Sequence, residues 1–375
     1  MELVRYDYVV VGAGFFGSIV ARRIAEELGE KVLVIDKKNH IGGNSYAYID
    51  KETGIEVHKY GSHIFHTSDE NVWSYLNRFT EFNNYRHTVY SNYKNVIYSL
   101  PINLHTINQY FQKDLSPTDA QALIKKEVEE AQIVNPKNLE EKAISLIGKS
   151  LYEAFIKGYT KKQWSKDPKD LVPEIITRLP VRFNYDNSYF SDKYQGIPKD
   201  GYEKMFNNIL NHKNIELKLN TSFNDIKDKL SKKMKVVYTG PIDELCDYQF
   251  GVLPWRSLRF EVEVKKVDDF QGTAVINYAD KDVPFTRIHE FKHYHPDWKN
   301  SDSTIICKEY SENYEVGKEP YYPVNNSESE ELYKKYLNLA KQRFPNFVFG
   351  GRLGCYKYWD MDKAVLAALN LTFPF

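Results

Sequence analysis

Glycines at positions 12, 14 and 17 constrain this chain more than any other feature: they follow the β-branched run Tyr8 to Val11 and open a helical stretch that stops at Gly29. A strand ending in G-x-G-x-x-G ahead of a helix lets the backbone turn tightly and approach an anion at the positive helix end. The segment KVLVID then supplies a second buried-type strand, and Asp36 closes it where a carboxylate accepts hydrogen bonds from an adenosine ribose. A bare glycine triad fits a plain tight turn as well. With strand, helix and acid in register, Gly12, Gly14, Gly17 and Asp36 predict a βαβ unit with a dinucleotide site.

After Asp36 the chain reads KKNHIGG and then Asn44, so a second glycine turn, Gly42-Gly43, follows the acid. This pattern resembles FAD proteins more than simple NAD dehydrogenases, the alternative being a polar connecting loop. Near the C-terminus a strand, then GGR, then DMDKAVLAAL also suits a flavoprotein whose last helix turns its N-terminus to the cofactor. Arg352 would there contact phosphate, or else serve as an ordinary surface arginine.

The remainder divides into two patterns. Between about residues 103 and 170 the chain turns helical: Ser116 then Pro117 form a cap and first-turn pair, and apolar residues recur at Ala143, Leu146, Ile147 and Leu151. Later segments alternate instead. LRFEVEVKK sets Phe260, Val262 and Val264 on one face against Glu261 and Glu263, and TAVINYA, FTRIHEF and TIICKEY are similar, predicting an antiparallel sheet with one wet face. The predicted fold class is α/β, a Rossmann-type FAD-binding domain with a helical insertion and an antiparallel β-sheet substrate domain. Its expected divisions are 1–80 with about 195–245 and 345–375 for FAD, about 101–177 for the helical insertion, and about 81–100, 178–194 and 246–344 for the sheet.

Composition narrows the function. Lys+Arg and Asp+Glu are 51 each, so no global field attracts nucleic acid or an anionic membrane, and an anionic ligand must be held by local arginines. Cys246, Cys307 and Cys355 are odd in number, far apart and without CxxC spacing, which argues against a disulfide framework and structural zinc and for a reducing, cytoplasmic setting. No window approaches the roughly 18 apolar residues of a membrane span.

Long motifs then carry a specific likeness: HKYGSHIFHT at 58–67, LPINLHTINQ at 100–109, KGYTKKQW at 157–164, RLPVRFNYDNSYF at 178–190, YQGIPKDGY at 194–202, TRIHEFKH at 286–293, PYYPVN at 320–325 and GGRLGCYKYWDMD at 350–362. In this order they resemble bacterial UDP-galactopyranose mutases, from the first strand to about residue 368. The resemblance implies a cytosolic homodimer that interconverts UDP-galactopyranose and UDP-galactofuranose for cell-surface glycan synthesis, with FAD active in its reduced form and an external flavin reductant. Reduced flavin N5 would attack the anomeric carbon as UDP leaves, and a flavin-iminium sugar adduct would open and reclose, without net redox change.

Residue by residue, the resemblance makes Arg178, Arg287 and His66 catalytic, the arginines meeting charge that develops on the departing diphosphate. A guanidinium offers phosphate a bidentate fork that lysine lacks, though without the motifs each arginine would read as a surface salt bridge. Substrate contacts implied are Arg178, Arg287, His87, Phe155, Tyr159, Thr160, Trp164, Tyr189, Asn277, Tyr322 and Tyr358; without the motifs Phe155 and Tyr159, one helical turn apart, would read as core packing. Cofactor contacts implied, beyond Gly12, Gly14, Gly17, Asp36, Gly43, Asn44 and Arg352, are Phe15, Lys37, His63, Ile64, Asp360 and Met361. The HxxH spacing of His63 and His66 lacks a third ligand, so no metal is expected. SKDPKDLVPEIIT is expected to act as a lid that carries Arg178 into the site. The alternative from a different class is an FAD-dependent oxidoreductase of the amine oxidase-like type, using oxidised flavin as hydride acceptor.

Overall fold

The structure, a computed structural model, describes residues 3–176, 181–231, 233–296, 298 and 302–373. Its first layer is a five-stranded parallel sheet in the order Phe347–Phe349, Lys235–Tyr238, Tyr8–Val11, Val32–Ile35 and Ile215–Lys218. Tyr8–Val11 (YVVV) and Val32–Ile35 (VLVI) are buried along their whole length, as strands covered on both faces must be. Val9, Val10, Leu33 and Val34 expose nothing, and burial of each such side chain contributes roughly 1.5–3 kcal/mol. The helix Phe15–Arg23 widens into a π turn at Ile24–Leu28 and stops at Gly29, whose φ of 71° is left-handed. Two segments distant in sequence complete this sheet because Val237 pairs with Val10 and Val348 with Val237.

The second layer is a seven-stranded sheet in the order Tyr322–Pro323, Trp255–Lys265, Thr304–Asn313, Arg287–Glu290, Val275–Tyr278, Val89–Tyr93 and Val96–Leu100. It is antiparallel save for one pair: Val275–Tyr278 runs parallel to Val89–Tyr93. The expected burial of one face fails along the long strand Trp255–Lys265, where Val262 and Val264 are 46% and 51% exposed. Trp255–Lys265 and Thr304–Asn313 pair over ten residues, further than the packed body reaches, so alternation there sorts charged from apolar side chains without burying either.

Between these sheets in sequence lie the helices Leu104–Phe111, Pro117–Glu130 and Leu139–Leu151, with Ser116 Oγ accepting from Asp119 N as the cap–proline pair implies. Ala143, Ile147 and Leu151 are buried and Leu146 partly so, in one cluster with Ile107, Ile124 and Phe155. The last helix continues through a π turn, Tyr152–Lys157, into Gly158–Trp164. All three cysteines are free, Cys246 and Cys307 buried. Burial raises the thiols of Cys307 to about 12 and Cys355 to about 11. Among the described residues no helix is long and apolar enough to cross a membrane.

Candidate active site

A first cavity, of about 320 Å³, opens at the carboxyl ends of the parallel strands and is built mainly from backbone. Gly12 has a φ of +108°, and a Cβ there would stand 2.0 Å from Thr239 Oγ1; at Gly17 it would stand 2.0 Å from the Gly12 carbonyl oxygen. Opposite, a Cβ on Gly43 would lie 3.2 Å from Gly14 Cα, so the two glycine turns present bare backbone to each other. This cradle suits a pyrophosphate bridged between two nucleotides. Asp36 accepts from Ala13 N at 2.8 Å and Lys38 N at 2.9 Å, which fixes its carboxylate at the cavity wall.

Phe15, Lys37, Asn44, His63, Arg352, Asp360 and Met361 line the same cavity together with Gly12, Gly14, Gly17, Asp36 and Gly43. Ile64 is buried and outside that lining. Burial lowers His63 to about 3, so it is a neutral imidazole, its Nδ1 2.7 Å from the Gly61 carbonyl. The Arg352 guanidinium spends donors on the Trp359 and Tyr321 carbonyls, the latter at 3.1 Å, and so pins the loop that leads into the helix Met361–Leu369.

The second cavity, of about 790 Å³, is built from side chains: Phe155, Tyr159, Thr160, Trp164, Tyr189, Asn277, Tyr322 and Tyr358 all line it. Phe155 also packs edge-on against Tyr98 at 5.0 Å, so the core and wall roles coexist in one ring. Asn277 lines this cavity, and its Oδ1 is buried without a partner among the described residues. Tyr322 and Tyr358 stack at 5.3 Å.

Arg287 stands behind Tyr159, donating to its hydroxyl, with Nε 3.4 Å from Glu309 Oε1. Burial opposes its charge, but Glu309 outweighs burial and holds the guanidinium protonated. Burial likewise opposes ionisation of Glu309, yet Arg287 and the hydrogen bond from His289 bring it down to about 2. His289 is in turn bonded to Ser62, which also bonds Tyr294. His66 and His87 do not line either cavity: His66 stacks on Phe190 at 3.7 Å with Nδ1 2.7 Å from Asp192, and His87 packs 5.3 Å from Tyr189, lowered to about 3 by burial. Arg178 lies outside the described residues, whereas Glu174, Ile175 and Ile176 ahead of it line the second cavity.

The two cavities adjoin. Consecutive residues Tyr358 and Trp359 line different ones, and the Arg352 guanidinium of the first lies 5.4 Å over the Tyr358 ring of the second. The ring-lined cavity thus meets the glycine-rich one at this pair of residues, while Arg287, bonded to Tyr159, lines neither.

Comparison with known proteins matches residues 154–358, most of that ring-lined wall, to the family model described as UDP-galactopyranose mutase. The chain belongs to the UDP-galactopyranose mutase family. Residues 10–79 also match an NAD(P)-binding Rossmann-like domain. The chain is 46% identical to a probable UDP-galactopyranose mutase of Klebsiella pneumoniae, covering 98% of this chain and 94% of that one. It is 43% identical to a dTDP-fucopyranose mutase of Escherichia coli, over 96% of each. In fold it is similar to a crystal structure of reduced UDP-galactopyranose mutase, with a TM-score of 0.71 over 97% of this chain and 94% of that one at 16% identity. Membership of a mutase family sets aside the amine oxidase-like alternative.

Several wall and support residues escaped sequence reading. Lys38, which bonds Asn44 at 2.7 Å and Glu319 at 3.0 Å, stands two positions after Asp36 and was open to notice. Glu309 and His289 carry no local signal, since only strand pairing brings Glu309 opposite Arg287. Asp269, Glu290 and His293 cluster within 4.8 Å as potential metal ligands, but none lines either cavity, and Glu290 already accepts from Phe270 N, Gln271 N and Thr304 Oγ1.

Proposed function

We propose that this protein interconverts UDP-galactopyranose and UDP-galactofuranose, with FAD in the first cavity and the nucleotide sugar in the second. The observation that carries this reading is the meeting of the two cavity walls at Tyr358–Trp359, with Arg287 bonded to the hydroxyl of Tyr159 in the second wall. Reduced FAD, when bound, supplies an electron-rich N5 able to displace UDP from the anomeric carbon. The glycine cradle of Gly12, Gly14 and Gly43 holds the cofactor's pyrophosphate, and Asp36 takes a ribose. Phe155, Thr160 and Trp164 take the uridine, and Asn277 contacts the substrate from the wall of the second cavity.

Arg287 meets the charge that develops on the diphosphate, supported by Arg178, while Tyr189, Tyr322 and Tyr358 donate hydroxyls to it. Excluding the water that would hydrolyse an activated sugar requires the aromatic wall to close further once the nucleotide sugar is bound, because Tyr189 and Tyr358 are exposed without it. His63, neutral and bonded through Nδ1 to Gly61, sits at the cofactor, and His66, oriented by Asp192, lies towards the sugar side. The reading extends to a homodimer in the cytoplasm, to an external flavin reductant, and to a product used for cell-surface glycans. It also adopts the division into an FAD-binding unit, a helical insertion and a sheet unit.

The test is chromatographic: purified protein is incubated with UDP-galactofuranose, as isolated and after dithionite reduction. Appearance of UDP-galactopyranose only in the reduced sample supports the proposal. No conversion in either, with FAD bound, overturns it. A parallel arm with dTDP-fucopyranose is warranted by the 43% identity to a mutase of that name, and exclusive turnover there would replace the substrate while keeping the chemistry.

A further inference from the structure

Lys162 does not line either cavity, yet its ammonium is spent in full on backbone. Nζ donates to the carbonyls of Tyr278 at 2.6 Å, Asp280 at 2.9 Å and Phe285 at 3.0 Å. An ammonium has three donors, and here each has one acceptor. Those three carbonyls belong to the connection between the strands Val275–Tyr278 and Arg287–Glu290, which carry Asn277 and Arg287 at its two ends.

Lys162 itself lies on Gly158–Trp164, the helix that carries Tyr159, Thr160 and Trp164. The helix backbone meets the same connection directly: a Cβ on Gly158 would stand 2.2 Å from the Ala279 carbonyl oxygen and 3.4 Å from Lys281 N. The far end of the helix is held separately, by Arg256 Nε to the Gln163 carbonyl at 2.9 Å and Arg256 Nη2 to Ser165 Oγ at 2.9 Å. Lys162 thus fixes the register of the helix along the strand connection. Arg287 reads that register through Tyr159, the hydroxyl to which it donates.

We propose that Lys162 is a positioning residue for turnover: by tying the helix that carries Tyr159 to the strand connection that ends at Arg287, it sets where the guanidinium stands when the diphosphate departs. The inference rests on the function proposed above. Lys162 touches neither substrate nor cofactor; it acts through the Tyr159–Arg287 contact. Removing it frees the helix to slide against the connection, and displacement of a catalytic group by about 1 Å can cost about 100-fold in rate. Binding of the uridine end, which depends on residues within the helix, changes little.

The experiment uses the full-length reduced holoenzyme with Lys162→Met, Tyr159→Phe and the double variant, and measures kcat, KM, the Kd for UDP, FAD content and Tm. Lys162→Met is expected to lower kcat about 30-fold with KM and Kd within about 3-fold of wild type, with FAD content unchanged and with Tm lower by only a few degrees, the protein staying folded at the assay temperature. In the Tyr159→Phe background the same substitution is expected to cost under about 3-fold, because the contact that reads the helix position is already gone. Additive losses overturn the proposal, as does an unchanged kcat with raised KM, or a kcat loss that only follows FAD or Tm. Lys162→Arg, which keeps the charge and several donors, supplies the control for misfolding: recovery of part of the lost kcat supports the proposal, and no recovery from a folded Lys162→Arg overturns it. Wild-type inactivity on UDP-galactofuranose would instead defeat the functional reading, a separate outcome.

Discussion

The two cavities of this molecule are made of different material. The first is backbone: glycines at 12 and 17 where a methyl group would collide, Gly43 where it would crowd Gly14, and one carboxylate fixed by two peptide donors. The second is side chains: rings at Phe155, Tyr159, Trp164, Tyr189, Tyr322 and Tyr358 and the amide of Asn277, with a cation held by a buried acid behind Tyr159. A backbone site tolerates little change of residue type. A side-chain site can be retuned one group at a time, which suits a family whose members act on different nucleotide sugars.

Four substitutions or conditions sharpen or break this contrast. The largest effect is expected for Arg287→Ala, which removes a preorganised donor to developing charge and should lower kcat by about 1,000-fold while FAD stays bound. Substantial residual turnover would move the leaving-group role away from this cation. On the other side, Gly17→Ala forces a Cβ to 2.0 Å from the Gly12 carbonyl. It should yield protein without flavin, destabilised by about 3 kcal/mol in denaturant unfolding, since backbone has to move. Retention of FAD at wild-type stability would show that the cradle is softer than backbone construction implies.

Next comes acid. Glu56 lies under the cofactor side, accepting from Tyr202 N at 2.9 Å and bonded to His295 at 2.7 Å. Burial opposes its charge, but His295 and His58 bring it from 4.5 to about 2. A carboxyl lowered in the folded state contributes stability above its unfolded value, and that contribution drains as pH falls from 4.5 towards 2. The loss is on the order of 3 kcal/mol over that window. Glu56→Gln should flatten the acid limb in urea titrations at pH 5 and 3, and an unaltered slope would remove Glu56 from the account. The smallest effect is expected for Tyr159→Phe, which deletes one hydrogen bond to the charged Arg287 and should lower kcat about 30-fold, equivalent to about 2 kcal/mol. A loss as large as that of Arg287→Ala would make the hydroxyl itself part of the chemistry.

The same contrast explains what could be read in the sequence. Tyr8–Val11, the glycine triad and Asp36 are neighbours along the chain, so strand, turn and helix disclose the first cavity locally. The second was reachable only through long motifs, because Tyr159, Asn277 and Tyr322 meet only once the sheet has formed. Glu309 was invisible for the same reason: pairing of Arg287–Glu290 with Thr304–Asn313 sets its place beside Arg287. Alternation at Val262 and Val264 misled, since period-two patterning records which residues share a face and not whether anything covers it. His66 and His87, expected at the substrate, pack against Phe190 and Tyr189, contacts between segments too far apart in sequence to be read from it.

The cysteines carry a last consequence, for electron supply. Cys246, Cys307 and Cys355 are all free, and burial keeps Cys307 and Cys355 protonated far above neutral pH. Only a thiolate exchanges or attacks. A protein of this design has no dithiol store with which to recharge a flavin that oxygen has oxidised. Under the proposed function each such loss would idle the enzyme until a donor arrived from solution, and in air its working fraction would be a steady state between oxygen and that donor.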